Sequence, residues 1–156
     1  CANYDPPITQ EKFSTHFNLD TSDLQLDLKS SLWPGYFGPF LRKHQFADVG
    51  DEAVPFKEFL VGSFGLIPHW SKDNLIARKT YNARTETVHE KPSYRDAWKV
   101  ARHCIIPAEA IDEPDWRSGK AVPTRISRAD GKPMGIAGIW GTWRSPAGEF
   151  VIASPC

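Results

Sequence analysis

The dipeptide Asp130-Gly131 lies between two segments rich in strand-forming residues, 121–128 and 133–143. Because Asp-Gly accommodates the backbone angles of a tight turn, the sequence predicts a hairpin of two antiparallel strands here. Strands are also predicted at three further segments, 56–67, 102–108 and 149–153. The chain is therefore expected to contain many short strands.

Two short helices are also predicted. Thr9 is a suitable N-cap for the first helix, in which Phe13 and Phe17 lie four residues apart and would share one face. The second helix is predicted at 92–100, where Pro92 is favoured in the first turn. The face with Phe13 and Phe17 is expected to pack in the core, and the second helix has Tyr94 and Trp98 on one side.

The length of 156 residues fits a single domain, and a hydrophobic fraction of 40% is enough for its core. No apolar run reaches the roughly 18 residues of a transmembrane helix, so no membrane span is expected. The last predicted strand runs almost to the end of the sequence. This indicates one domain over residues 1–156 that lacks its C-terminal segment.

The three cysteines, Cys1, Cys104 and Cys156, include no CxxC pair and leave one thiol over. This pattern favours neither a disulfide framework nor a zinc site, so no metal or other cofactor is predicted. A reduced, cytoplasmic protein is the simplest interpretation. A lipoprotein, whose mature chain also begins with Cys, remains an alternative.

The charged residues are unevenly distributed, although the net charge is zero. Residues 62–103 carry eight basic and four acidic side chains, whereas residues 1–61 carry five and nine. A local positive surface can bind a polyanion even on a neutral protein. The alternative is a solvated surface without a partner.

Cys1 combines a free α-amine with a thiol on the same residue. An α-amine has a pKa near ~8, so part of it is an uncharged nucleophile at neutral pH, and the thiol is a second nucleophile. The amine can form a Schiff base with an aldehyde, and the sulfur can then close a thiazolidine ring. An N-terminal cysteine is therefore a candidate aldehyde trap.

Aromatic, amide and charged side chains cluster in three other segments. Segment 33–39 interleaves aromatic residues with Pro and Gly, and could stack on bases or form a wall of the core. Asn82, Arg84 and Glu86 would share one face of an extended segment. Glu113 is one of four carboxylates at 109–115. Crowded carboxylates tend to have a raised pKa, as acid–base catalysis requires; the alternative is that the segment is an acidic surface turn.

Together these residues resemble the SRAP (SOS response-associated peptidase) family of abasic-site processing proteins. The resemblance covers nearly the whole chain and rests on several motifs in the same order: Cys1, the aromatic stretch at 33–40, the segments GLIPHW at 65–70 and NARTE at 82–86, and CIIPAE at 104–109 leading to Glu113.

The resemblance implies an α+β fold, mainly antiparallel and barrel-like with short helices, and a positively charged cleft for single-stranded DNA. It implies that an initiator Met is removed by self-peptidase activity, and that Cys1 then crosslinks covalently to the aldehyde of an abasic site. No membrane is implied as a partner. A monomeric bacterial or phage protein that acts in the SOS response to DNA damage is expected.

The resemblance also assigns roles to individual residues. Asn82 would hold the Cys1 end or the sugar, and Glu113 would transfer protons during Schiff-base formation and ring closure. Arg84 would bind a phosphate, and Trp70 would be an aromatic wedge beside the lesion. The other residues expected to contact DNA are Trp33, Pro39, Arg78 and Lys79.

The sequence departs from the family pattern at two places. No His-x-Arg-Met-Pro-like segment with the family's catalytic His precedes Cys156. Asp112 stands where an aromatic residue commonly precedes the family's glutamate, and its charge is expected to raise the pKa of Glu113 further.

Two other functions also agree with parts of the sequence. An N-terminal-nucleophile hydrolase would use the Cys1 thiol to attack an amide, with the α-amine as base. A non-catalytic module could bind single-stranded nucleic acid through the positive middle segment and the aromatic residues.

Overall fold

The computed structural model describes residues 2–7, 9–18, 28–145 and 147–155, with the backbone alone at residues 10 and 149–155. Its helices are α1 (Gln10–Phe17), α2 (Arg95–Lys99) and a 3₁₀ helix (Leu75–Arg78). Its strands are β1 (Asn3–Asp5), β2 (Phe37–Lys43), β3 (Lys57–Phe64), β4 (His103–Ala108), β5 (Ala110–Asp115), β6 (Val122–Ile126), β7 (Met134–Ser145) and β8 (Gly148–Pro155).

The strands form two sheets. A closed barrel has the strand order β2-β3-β8-β7-β4, and a separate sheet has the order β1-β5-β6. The strand pairs are antiparallel except for β3 with β8. The expected α+β fold with a mainly antiparallel barrel and short helices is thus confirmed.

The hairpin predicted at Asp130-Gly131 is wrong in its strand pairing. Gly131 does form a turn with a positive φ of 72°, and Asp130 accepts hydrogen bonds from Arg128 and Lys132. However, β6 pairs with β5, whereas β7 pairs with β4 and β8. The turn therefore carries the chain from the small sheet into the barrel.

The predicted helices agree with the structure in position more than in length. Thr9 caps α1 through its side-chain oxygen, and Phe13 on that helix is fully buried against Leu41 and Phe59 of the barrel. The second helix begins at Arg95 rather than at Pro92, because the residues before it form turns.

The barrel interior is apolar and includes side chains from the small sheet. Phe40, Phe64 and Ile106 pack there with Cys104, which is also buried. Tyr4 of β1 enters the same cluster and is 2% exposed. Burial raises the pKa of the Tyr4 hydroxyl, with a smaller contribution from Cys104. The N-terminal strand is therefore anchored in the barrel core.

The chain between β3 and β4 covers the outside of β7. Leu66, Ala83 and Val88 pack on Ile139 and Trp143. The turn into this segment is made at a glycine, Gly65, with φ of 110°, and a Cβ there would lie 2.3 Å from the Ala77 carbonyl oxygen. This close approach fixes the segment that carries the expected DNA-binding residues.

Candidate active site

The beginning of the chain lies beside Glu113. Cys1 itself is outside the described residues, but Ala2 donates its backbone N–H to the Asp112 carbonyl at 3.2 Å. Asn3 and Asp112 are direct partners in the β1–β5 register. Ala2, which follows the candidate nucleophile, is therefore fixed beside Asp112. Asp112 directly precedes Glu113, the candidate acid–base residue.

Glu113 is partly buried and belongs to β5 rather than to an acidic surface turn. Burial raises the pKa of its carboxyl group, because removal from water disfavours the charged form. The predicted contribution of Asp112 requires correction. Neighbouring side chains on a strand point to opposite faces, and the Asp112 carboxylate binds Asn3 at 2.9 Å. We therefore attribute the raised pKa to burial.

Asn82 and Arg84 are both exposed on either side of the fully buried Ala83. The alternation expected for an extended segment therefore holds at these positions. It ends there, because the Arg84 carbonyl accepts hydrogen bonds from Thr87 and Val88 and begins a turn. The expectation that Glu86 shares an extended face with Asn82 and Arg84 is wrong, since Glu86 lies in that turn.

An aromatic contact chain connects this segment to the N-terminal strand. The rings of Tyr4 and Phe64 are 5.2 Å apart in an edge-to-face arrangement. Phe64 in turn contacts Tyr81, at 6.2 Å between ring centroids. Tyr81 directly precedes Asn82. The Phe64 ring therefore contacts both the N-terminal strand and the segment that leads into Asn82.

A cleft of about 370 Å³ lies beside Asn82 and Arg84. Two further cations, Lys79 and Lys91, line it together with hydroxyl-bearing residues. Positive side chains and neutral donors of this kind suit phosphate groups. Lys79 is one of the residues expected to contact DNA, whereas Lys91 was not predicted and its only signal in the sequence is its place in the positive middle segment. Arg78 is exposed but does not line this cleft.

The aromatic residues expected to contact DNA differ in accessibility. Trp33 is 50% exposed and Trp70 is 54% exposed, so both present surface for stacking. Pro39 is fully buried in β2 opposite Val61, which corrects the expectation of direct DNA contact. Trp116, in the β5–β6 turn, is 63% exposed.

The described residues contain no group of three His, Cys, Asp or Glu side chains that could hold a metal ion. Neither do they include a helix long and apolar enough to cross a membrane.

Sequence comparison matches most of the chain to one family. The family model for SOS response associated peptidase (SRAP) matches residues 1–154. The abasic site processing protein YoqW of Bacillus subtilis (strain 168) is 41% identical over 87 residues, which cover 55% of this chain and 38% of YoqW. YoaM, named an abasic site processing protein of the same strain, is 39% identical over 88 residues. The match spans less than two fifths of these relatives.

Structural comparison covers nearly the whole chain. A crystal structure of a protein from Bordetella bronchiseptica has a TM-score of 0.77 and 39% identity, covering 99% of this chain and 70% of that one. A Bacteroides thetaiotaomicron protein has a TM-score of 0.74 at 23% identity, which shows a shared fold. By its match over residues 1–154, the chain, whose sequence carries Cys1, the NAR segment at 82–84 and Glu113, belongs to the SRAP family.

Proposed function

We propose that this chain processes abasic sites in single-stranded DNA and links covalently to them through Cys1. The observation that carries the proposal is the placement of the N-terminal strand: the Ala2 backbone is bound to Asp112, directly before Glu113. Membership of the SRAP family and similarity to proteins named for abasic site processing support the same function.

The proposed chemistry uses both nucleophiles of Cys1. The ring-opened sugar of an abasic site exposes an aldehyde, and the α-amine attacks its carbon to form a carbinolamine. Loss of water gives a Schiff base. The thiol then adds to the imine carbon, the nitrogen takes the thiol proton, and a thiazolidine ring closes. The complete reaction therefore joins protein and DNA with the loss of one water molecule.

Glu113 is the proposed proton-transfer group. Its raised pKa keeps a larger protonated fraction near neutral pH than an ordinary carboxyl group has. In the protonated form Glu113 donates to the departing hydroxyl of the carbinolamine. In the ionised form it accepts a proton from the attacking amine.

The exposed cations and aromatic rings supply the proposed DNA contacts. Arg84 and Lys79 bind backbone phosphates from the cleft that Asn82 also lines. Asn82 holds the sugar or the terminal residue, and Trp70 and Trp33 stack on flanking bases. Arg78, which is exposed outside the cleft, adds a more distant phosphate contact.

The proposal includes exposure of Cys1 by removal of an initiator Met. An amine that is still in a peptide bond cannot form a Schiff base. The self-peptidase activity implied by the family resemblance would supply the free amine before DNA binds.

Intact mass spectrometry tests the proposal. The protein is incubated with a single-stranded oligonucleotide containing one abasic site, and in parallel with the same strand without the lesion. We expect a mass increase equal to the abasic strand minus one water, mapped to Cys1, with the lesion-containing strand alone. Cys1→Ser is expected to lose the heat-stable adduct.

Three results would contradict the proposal. A heat-stable adduct formed by Cys1→Ser would exclude the thiazolidine. Equal binding of both strands without a covalent product would instead indicate a non-catalytic nucleic-acid-binding module, and turnover of an amide without DNA would indicate a hydrolase.

A further inference from the structure

We infer that Asn3 and Asp112 form a positioning pair that sets the location of the N-terminal nucleophile. The inference rests on the proposed function, because it concerns the same Cys1 chemistry. Neither residue touches the reacting atoms in this proposal. The pair acts by fixing the strand that begins immediately after Cys1.

The contacts of Asn3 are specific and shielded from water. Its side-chain nitrogen lies 2.9 Å from Asp112 Oδ2 and 3.0 Å from Ser31 Oγ. An amide nitrogen has two N–H groups, so it can donate to both acceptors at once. Asn3 is 8% exposed, and a hydrogen bond to an ionised carboxylate is stronger than one between neutral groups.

Asp112 is the centre of a polar row across all three strands of the small sheet. Its cross-strand partners are Asn3 on β1 and Arg125 on β6. Arg125 also binds Asp5 at 2.6 Å, which adds a second polar link between β6 and β1. The pKa of Arg125 is raised, first by its hydrogen bond to Asp5 and further by the charges of Asp5, Asp112 and Glu109. The positive charge of Arg125 therefore compensates the negative charge of Asp112 within the small sheet.

β1 is only three residues long, and its register is set by Tyr4 in the barrel core on one face and by the Asn3–Asp112 pair on the other. So short a strand has few contacts that specify its register, and a slip of one residue would turn each side chain to the other face. Such a slip would also move the chain by about 3.3 Å along the strand. Consecutive Cα atoms are about 3.8 Å apart, so a displacement of Ala2 passes almost directly to Cys1.

The test exchanges donor and acceptor. Asn3→Asp places a second carboxylate about 3 Å from Asp112, where like charges repel. The double variant Asn3→Asp/Asp112→Asn restores an amide–carboxylate hydrogen bond with the roles reversed. Asp112→Asn alone is the conservative control, because the amide oxygen at position 112 can still accept from Asn3. Intact mass confirms Cys1 as the first residue of every variant.

Three quantities are compared for each variant: the rate of adduct formation with saturating abasic strand, the affinity for a strand with an unreactive tetrahydrofuran analogue, and the melting temperature. We expect Asn3→Asp to slow adduct formation about 10- to 100-fold, since small misplacements of a reacting group are costly. Analogue affinity should remain within about twofold, since the phosphate contacts are untouched. The double variant should regain most of the rate.

Specific results would overturn the inference. An unchanged rate in Asn3→Asp would do so, as would a double variant that regains the melting temperature without regaining the rate. If Asn3→Asp does not fold, Asp112→Ala removes the acceptor without adding charge and must still slow adduct formation. If the unaltered protein forms no adduct, both the proposed function and this inference are overturned. If all variants form the adduct at the normal rate, the inference alone is overturned.

Discussion

The barrel and the three-stranded sheet are stabilised by different kinds of side chain. Phe40, Phe64 and Ile106 fill the barrel interior with apolar groups that are at most 3% exposed. One face of the small sheet instead pairs Asn3 with Asp112. Burial of apolar surface supplies most folding free energy but is not directional, whereas hydrogen-bonded pairs specify which residues lie opposite each other. The comparison assigns stability mainly to the barrel, and the placement of the N-terminus to Tyr4 in the barrel core together with the Asn3–Asp112 pair of the sheet.

The strongest test of this division removes a ring from the barrel. Phe40→Ala deletes a side chain that is 1% exposed and should lower the free energy of unfolding by about 3–5 kcal/mol. Ile126→Ala in β6, where the side chain is 44% exposed, should cost about 1 kcal/mol. Chemical denaturation of both variants measures the difference. Equal losses would show that the small sheet contributes to stability as strongly as the barrel does.

A smaller effect is expected from two glycines that share a positive φ. Gly65→Ala, at the exit of β3, would place a Cβ 2.3 Å from the Ala77 carbonyl oxygen. Overlap and backbone strain should together cost about 2–4 kcal/mol. The matched control is Gly119→Ala in the β5–β6 turn, where nothing lies within 4 Å of the added Cβ. It should cost about 1 kcal/mol from strain alone.

Melting temperatures of the two glycine variants provide the measurement. Gly65→Ala should also weaken binding to single-stranded DNA, because the turn at Gly65 leads into the segment with Asn82 and Arg84. If Gly119→Ala were the more destabilising substitution, the packing of Gly65 against Ala77 would not be the dominant constraint.

The smallest expected effect is a change of stability with pH at Glu113. Its pKa is raised above the ordinary value of 4.5 by burial, so folding favours the protonated form. Its contribution to stability is therefore full below the ordinary pKa and is lost as the pH rises through the raised one. Relative to Glu113→Gln, the unaltered protein should become less stable over that pH interval. Urea denaturation at a series of pH values tests this, and a difference that does not vary with pH would contradict it.

Local features of the fold could be predicted from the sequence, because neighbouring residues determine them. Thr9 caps α1 as its hydroxyl and position indicate. The Asp130-Gly131 turn is present, but its flanking strands belong to different sheets. The turn type depends on a few residues, whereas strand partners depend on contacts across the whole chain. The same reason explains why β1, with only three residues, was not predicted.

The candidate site shows the same distinction. The exposure of Asn82 and Arg84 could be predicted, because it follows from the alternation of side chains around the buried Ala83, which is a local property. The bond between Asn3 and Asp112 joins residues 109 positions apart, which one sequence cannot indicate. Burial of Pro39 was also beyond local reasoning, because a proline near aromatic residues can line either a surface or a core.

The burial of Tyr4 has a mechanical consequence for the proposed adduct. Only two residues separate Cys1 from Tyr4, which is held in the barrel core. Even a fully extended chain spans at most about 3.6 Å per residue, so a DNA strand attached at Cys1 would be tethered within roughly 11 Å of Tyr4. Force on the strand would pass through β1 directly into the core. The covalent tether could therefore lengthen under a pulling force only after Tyr4 had left the barrel core, so the fold would resist extension of the tether before any covalent bond was strained.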